Sequence, residues 1–232
     1  MIIIGIVLTI VVAVVVYFIV SKNDKNTQPI QENLGNFLVS YSGNSLNSSE
    51  EIKNNYHNHV KEATDFWNDM LIENTKIKLT ISTFSEQGND FGIVLAKAGP
   101  YSIFDLKGGG NLYINLSAGS RNWTDVIKHE IGHVMGIGLN VYWTSSIING
   151  SLDGRKFPIS LQEYKDSYGG DENTTLIPLS SGRGHFSEEI FDRELMTPYS
   201  DAPDPQPVTK LTLGALKSMG WDVDLNKSEL PH

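Results

Sequence analysis

The stretch His129-Glu130-Ile131-Gly132-His133 decides how the rest of this chain is interpreted, because it carries the pattern H-E-x-x-H. Two histidines four residues apart on a helix lie on the same face, about one turn apart, so both imidazoles can reach one metal ion. Glu130 lies roughly 100° further round the helix, where it can reach a water beside the metal without being a third ligand. The pattern therefore predicts a zinc site on a helix.

The residues around the motif also predict a helix. Trp123, Ile127, Ile131 and Val134 fall on one side of a helical wheel, and the two histidines fall on the opposite side. One face can therefore pack on a core while the histidine face borders a cavity. The alternative reading is a core helix that carries two histidines by chance.

The composition limits the classes of function. The chain has 232 residues, 40% of them hydrophobic, which is enough for one sizeable domain or two small ones. Its formal net charge of −9 argues against a nucleic-acid-binding protein, which normally carries a basic surface. Because the chain contains no cysteine, any metal ligands must come from His, Asp or Glu.

The chain divides into three predicted regions. Residues 2–20 form an almost unbroken apolar run, close to the roughly 20 residues that a transmembrane helix needs. No Lys or Arg precedes the run and no small-x-small cleavage site follows it, so we predict a retained single-pass anchor, with a cleaved secretory signal as the alternative. Residues 21–50 are rich in Asn, Ser, Gln and Lys and predict a polar linker. Residues 51–232 then form the folded domain.

Hydrophobic periodicity within residues 51–232 predicts an α+β domain. In chain order, the predicted elements are a helix over Glu51–Glu73, strands at Ile77–Ile81, Gly92–Ala96 and Leu112–Leu116, the zinc-site helix, a short helix around Leu161–Tyr168 and an amphipathic helix over Thr209–Met219. Residues 140–181 otherwise show little periodicity, and an irregular segment of that length is often functional.

A third ligand has to be found, because a catalytic zinc ion usually takes three protein ligands and one water. The compact pattern H-E-x-x-H-x-x-G-x-x-H would place it at residue 139, which is Leu139. His57 and His59 diverge on a predicted helix, so we interpret them as a solvated surface pair. Three acidic residues stay open as third ligands in a different zinc-hydrolase plan: Glu188, Glu189 and Asp192.

The sequence beyond the irregular segment is more specific. Gly184-His185 is followed by Glu194-Leu195-Met196-Thr197-Pro198-Tyr199. With H-E-x-x-H-x-x-G upstream, this arrangement resembles the leishmanolysin family of metzincin endopeptidases, which has a long insertion before a third histidine and a methionine turn. Leu211–Trp221 resembles the closing helix of that family, and the likeness covers roughly residues 56 to 225. Leishmanolysin itself is cysteine-rich, whereas this chain has no cysteine.

The resemblance implies a metzincin-type catalytic domain with a mixed sheet, a zinc-binding helix, a methionine turn and a C-terminal helix, behind the N-terminal transmembrane helix. By position, it implies one catalytic Zn²⁺ held by His129, His133 and His185, with Glu130 as general base and Met196 beneath the site. The implied activity is zinc-dependent hydrolysis of peptide bonds in a protein or peptide substrate. The alternative is a membrane-anchored, catalytically inactive binding or adhesion protein with the same fold, which the intact Glu130 disfavours.

Two arguments about membrane orientation oppose each other. Lys22 and Lys25 after the apolar run favour a cytosolic domain by the positive-inside rule, whereas the resemblance implies the cell surface or exterior. Because two lysines are a small bias, we expect an exoplasmic catalytic domain. The expected partners are a polypeptide substrate and, through residues 2–20, the membrane.

Overall fold

The computed structural model describes residues 29–43, 47–89, 92–119, 122–200 and 205–230. Their architecture is α+β, as the sequence predicts. The helices are α1 (Ser49–Met70), α2 (Trp123–Val134), α3 (Val141–Thr144), α4 (Pro158–Ser167), α5 (Glu188–Phe191) and α6 (Lys210–Met219). The strands are β1 (Ile30–Leu34), β2 (Phe37–Tyr41), β3 (Ile77–Phe84), β4 (Ala96–Pro100), β5 (Gly109–Asn115), β6 (Ile147–Ile148), β7 (Ser151–Asp153) and β8 (Leu176–Ile177).

The first five strands form a mixed sheet in the order β1-β2-β3-β5-β4. β2, β3 and β5 run parallel to one another, while β1 and β4 are antiparallel strands at the two edges. β6, β7 and β8 form a small antiparallel sheet. Both sides of β5 are therefore paired, and β4 is the edge strand nearest to helix α2.

Helix α1 connects the parallel strands β2 and β3 and packs on the sheet. It begins where the Ser48 side chain accepts a hydrogen bond from the Glu51 amide, which satisfies one of the free N–H groups of the first turn. Its apolar residues recur at helical spacing and are buried; Trp67 is completely enclosed. The Trp67 indole donates to the Lys128 carbonyl at 3.0 Å, so α1 is fastened directly to α2.

Helix α2 has the amphipathic character that the sequence predicts. Ile127, Ile131 and Val134 are fully buried against the core, and Asn122 caps the first turn by accepting from the Asp125 amide. The chain just after α6 is fastened to the chain just after α2, because the indole of Trp221 donates to the Met135 carbonyl at 2.8 Å.

The prediction of a polar linker over residues 21–50 is wrong where β1 and β2 form. Phe37, Val39 and Tyr41 alternate with less buried residues and are fully enclosed in the core, so β2 is an inner strand of the main sheet. Because asparagines and serines surround these strands, the polar composition of residues 21–50 hides the alternation of buried and less buried residues. Asn68 of α1 closes the β1–β2 turn by accepting from the Asn36 amide at 2.8 Å.

The prediction of an N-terminal transmembrane helix is also corrected. Residues 2–20 lie outside the described residues, and within the described ranges no helix is both long enough and apolar enough to cross a membrane. The described residues are therefore α+β with no membrane-spanning helix among them, and the single-pass localisation with its exoplasmic orientation is not retained.

One predicted strand is displaced along the chain. The apolar run Gly92–Ala96 is predicted as a strand, but β4 begins at Ala96 and ends at Pro100. Pairing decides this boundary, because Ala96 faces Ile114 and Pro100 faces Gly110 across the antiparallel ladder with β5. Local apolar content indicates a strand near this position but does not give its register.

Candidate metal centre

The three histidines predicted as ligands come together. The Nε2 atom of His129 lies 3.1 Å from those of His133 and His185, and the Nε2 atoms of His133 and His185 are 3.0 Å apart. Two nitrogens that each bind a tetrahedral zinc ion at 2.0–2.1 Å lie about 3.3–3.4 Å from one another. The three side chains therefore lie close enough to hold a single metal ion.

The hydrogen bonds of the ring nitrogens fit the same conclusion. Nδ1 of His129 lies 2.6 Å from the Leu195 carbonyl, and Nδ1 of His133 lies 2.9 Å from the Ile137 carbonyl. A carbonyl oxygen only accepts, so each Nδ1 carries the proton and each neutral ring presents a lone pair at Nε2. With both rings neutral, no proton stands between these two Nε2 atoms, and a cation would remove the repulsion between the lone pairs.

Burial favours the neutral form that binds metal. Desolvation, with the neighbouring His133 and His185, holds the pKa of His129 well below its ordinary value. Desolvation also lowers the pKa of His133, and it lowers the pKa of His185 to about 3 with help from the charge of His133. All three imidazoles are therefore unprotonated at neutral pH, and metal binding there requires no release of a proton.

His185 reaches the site because its loop crosses the end of α2 at close range. The chain turns after the helix at Gly136 and Gly138, both with positive φ. A Cβ on Gly138 would stand 2.2 Å from the Gly184 carbonyl oxygen, so only glycine permits this crossing. The loop is held by the Trp143 indole, which donates to the Arg183 carbonyl at 3.0 Å.

The insertion before His185 has an aromatic core of its own. Trp143, Phe157, Phe186 and Phe191 are buried, and their rings meet edge to face at centroid distances of 5.4–5.8 Å. Aromatic pairs of this geometry add specific attraction to the area that they bury. This core anchors Phe186, the residue next to His185, and so fixes the position of the third histidine.

Met196 lies under helix α2. Its side chain is fully buried, and its sulfur would be 2.6 Å from a Cβ added to Gly132, the residue just before His133. Glu194 holds this turn in place by accepting from the Met196 amide at 2.7 Å. The Met196 turn thus forms part of the support below the histidines.

Glu130 is buried beside the cluster. It is 6% exposed, and its Oε2 atom has no hydrogen-bond partner. Burial raises the pKa of its carboxyl to about 8. Glu130 and His129 both line a cavity of about 80 Å³. A buried carboxyl group at the lining of a cavity, with one oxygen left without a hydrogen bond, can accept a proton from a water or substrate there.

The other candidate residues lie elsewhere. His57 and His59 are half-buried rather than fully solvated: His57 Nδ1 is 3.2 Å from Glu32 and His59 Nδ1 is 2.9 Å from Thr124. His232 is outside the described residues. Among the described residues, the side chains close enough to hold a metal ion do not include the three acidic alternatives Glu188, Glu189 and Asp192.

Sequence reasoning missed Asp125, which is 3% exposed at the start of α2. Its carboxylate accepts from the Lys128 ammonium at 2.8 Å and from the backbone amide of Gln206 at 2.9 Å. Gln206 lies 81 residues further along the chain, so no local pattern identifies this pair.

Fold and site together define an α+β protein with a three-histidine cluster able to hold a metal ion. Comparison with protein-family models and with curated proteins gave no match to the chain.

Proposed function

We propose that this protein is a zinc-dependent endopeptidase of the leishmanolysin-like metzincin type. The observation that carries the proposal is the convergence of the Nε2 atoms of His129, His133 and His185 at 3.0–3.1 Å beside the buried carboxyl of Glu130. Three neutral nitrogen ligands with an open fourth position are typical of catalytic rather than structural zinc sites.

Zinc suits this set of donors better than other common ions. Imidazole is a borderline ligand that favours zinc, copper, iron and nickel, whereas magnesium and calcium prefer oxygen. Among these, zinc accepts a tetrahedral arrangement without a preference from its d electrons. When bound, Zn²⁺ would supply polarisation of a substrate carbonyl and would lower the pKa of a water molecule to about 7.

Glu130 would act as the general base of the reaction. Its unsatisfied Oε2 would accept a proton from the attacking water and then give it to the leaving amine. Its pKa of about 8 reflects burial alone. A cation held by the three histidines would lower that pKa and favour the carboxylate that a base requires.

An extended polypeptide can reach the site along β4. Both sides of β5 are occupied by β3 and β4, whereas β4 is an edge strand and packs beside α2. An added peptide would exchange backbone hydrogen bonds with an edge strand without needing a particular side-chain sequence. This arrangement favours a protein or peptide as the substrate.

Glu130→Gln tests the proposal, with Glu163→Gln, a half-buried residue of α4, as the matched control. Both variants should bind zinc as the wild type does, since neither removes a ligand. Casein cleavage should fall by at least about 100-fold in Glu130→Gln only, in line with the usual contribution of a general base. Full activity in Glu130→Gln would contradict the role of Glu130. Zinc binding without cleavage in the wild type would favour the alternative, an inactive binding protein with this fold.

A further inference from the structure

The cavity beside Glu130 is bounded by four parts of the chain. Val126 and Glu130 contribute from α2, Ala96 from the start of β4, Tyr199 from the segment after Met196, and Gln206 from the segment before α6. At about 80 Å³ the cavity has room for a side chain of moderate size. Because it opens beside the proposed general base, a residue flanking the scissile bond would place its side chain there.

Gln206 forms a firmly held wall of this cavity. It is 4% exposed, and its backbone amide donates to the buried carboxylate of Asp125 at 2.9 Å. Its side-chain amide donates to the Tyr199 carbonyl at 2.9 Å. The wall is therefore attached both to the helix that carries His129 and to the segment that follows Met196.

The same wall is coupled to a metal ligand through the backbone. The Leu195 amide donates to the Pro207 carbonyl at 2.9 Å, and the Leu195 carbonyl accepts from His129 Nδ1 at 2.6 Å. Pro207, the residue after Gln206, is thus hydrogen-bonded to Leu195, whose carbonyl in turn contacts the proposed metal ligand His129. A wall held at three points cannot retreat cheaply from a bulky side chain, because a buried hydrogen bond must break first.

We propose that Gln206 is the specificity-determining residue of the active site, where its fixed side chain restricts the cavity to small and medium aliphatic side chains of the substrate. The inference rests on the proposed endopeptidase function. Because side-chain volume sets the restriction, variants that change the volume at this position test it. Gln206→Ala removes the wall, whereas Gln206→Met keeps its bulk and loses the hydrogen bond to Tyr199.

The test uses a binding readout, so it does not depend on turnover. Three dipeptide hydroxamates that differ only in a methyl, isobutyl or benzyl side chain are titrated calorimetrically into the zinc-loaded full chain. The wild type should prefer the methyl or isobutyl compound over the benzyl compound by at least about 10-fold, the discrimination that pocket size typically gives. Gln206→Met should keep this preference, because it keeps the side-chain bulk and the backbone hydrogen bonds of Gln206 and Pro207 that hold the wall in place. Gln206→Ala should reduce that ratio by at least about 10-fold. The control Gln162→Ala, on the exposed surface of α4, should leave it unchanged.

The outcomes separate this inference from the proposed function. Suppose that all hydroxamates bind and that Gln206→Ala has normal thermal unfolding and zinc content. If this variant then keeps the wild-type ratio of affinities, Gln206 does not set specificity, and the proposed metal centre is unaffected. If no hydroxamate binds the zinc-loaded wild type, the proposed active site itself is wrong and this assignment falls with it. If Gln206→Ala does not fold, an unaltered ratio in the bulkier Gln206→Trp would overturn the inference instead.

Discussion

Replacing His185 by alanine should weaken zinc binding severely while the protein stays folded. The loss of a residue that merely supports a metal ligand costs 10–100-fold in affinity, so the loss of a direct ligand should cost more than about 100-fold. His129 and His133 would remain at 3.1 Å from one another, but two nitrogens do not complete a catalytic zinc site.

The effect on stability can be worked out from linkage. At a fixed free zinc concentration well above both dissociation constants, a 100-fold loss of affinity removes about 2.7 kcal/mol of the stabilisation that zinc provides. For a chain of this size, 1 kcal/mol corresponds to about 2–4 °C in the unfolding temperature. The increase in Tm on adding zinc should therefore be smaller by about 5–11 °C in His185→Ala than in the wild type.

The measurement is differential scanning calorimetry of each protein with and without zinc, so that any cost of the substitution to the metal-free fold cancels. His57→Ala and His59→Ala are the matched controls, since these side chains contact Glu32 and Thr124 rather than the cluster. Both controls should keep the full zinc-induced increase in Tm. An equal increase in His185→Ala would mean that a different residue completes the site, and the convergence of the three rings would then have no role in metal binding.

Three further predictions follow from the packing below the site. Burial raises the pKa of Glu194 to about 7, whereas the pKa of the same carboxyl in the unfolded chain is near 4.3. Between these two values the native carboxyl keeps its proton and the unfolded one releases it. The stability that this group contributes is therefore complete below about pH 4.3 and is lost as the pH rises towards about 7. In urea denaturation of the metal-free protein, the stability of the wild type relative to Glu194→Gln should therefore fall by up to about 1.4 kcal/mol per pH unit between pH 5 and 7, and a rise would contradict the reasoning. Gly132→Ala should cost about 1–3 kcal/mol because its Cβ would stand 2.6 Å from the Met196 sulfur, and the cost should shrink in a Met196→Ala background; strictly additive effects would mean that the two residues do not touch. Gly138→Ala should be more destabilising than Gly182→Ala by about 2 kcal/mol or more in the same denaturation assay. Gly138 has a φ of +78° and a backbone neighbour too close for a Cβ, whereas nothing lies within 4 Å of a Cβ at Gly182. Equal costs would contradict a close crossing of the His185 loop over Gly138.

The parts of the fold that the sequence predicts well are those with a strong local period. Helix α2 is predicted because its apolar residues and its histidines recur at helical spacing on opposite faces, and the structure keeps that division. Helix α6 has the same kind of signal, and it begins and ends within one residue of the predicted bounds. The convergence of His129 and His133 follows from the helix alone.

The arrival of His185 follows instead from a resemblance across an insertion whose fold is not visible in the sequence. The insertion packs around Trp143, Phe157 and Phe186, which have no regular spacing along the chain. The link between Asp125 and Gln206 is equally invisible, because the two residues meet only after the chain has folded. The sequence does not predict β1 and β2, because the polar residues around them are more numerous than the three buried residues of β2. The membrane anchor is predicted from hydrophobicity and length alone.

We propose that one zinc ion, held by the three histidines beside Glu130, makes this protein a peptidase. The most direct measurement removes all metal with a chelator, then adds zinc in steps while peptide cleavage and bound zinc are followed together. We predict that the metal-free protein is inactive, that cleavage returns in proportion to bound zinc, and that it reaches its maximum at about one ion per chain. Cleavage that persists without metal, or a chain that binds one zinc ion and cleaves no peptide, would contradict this proposal.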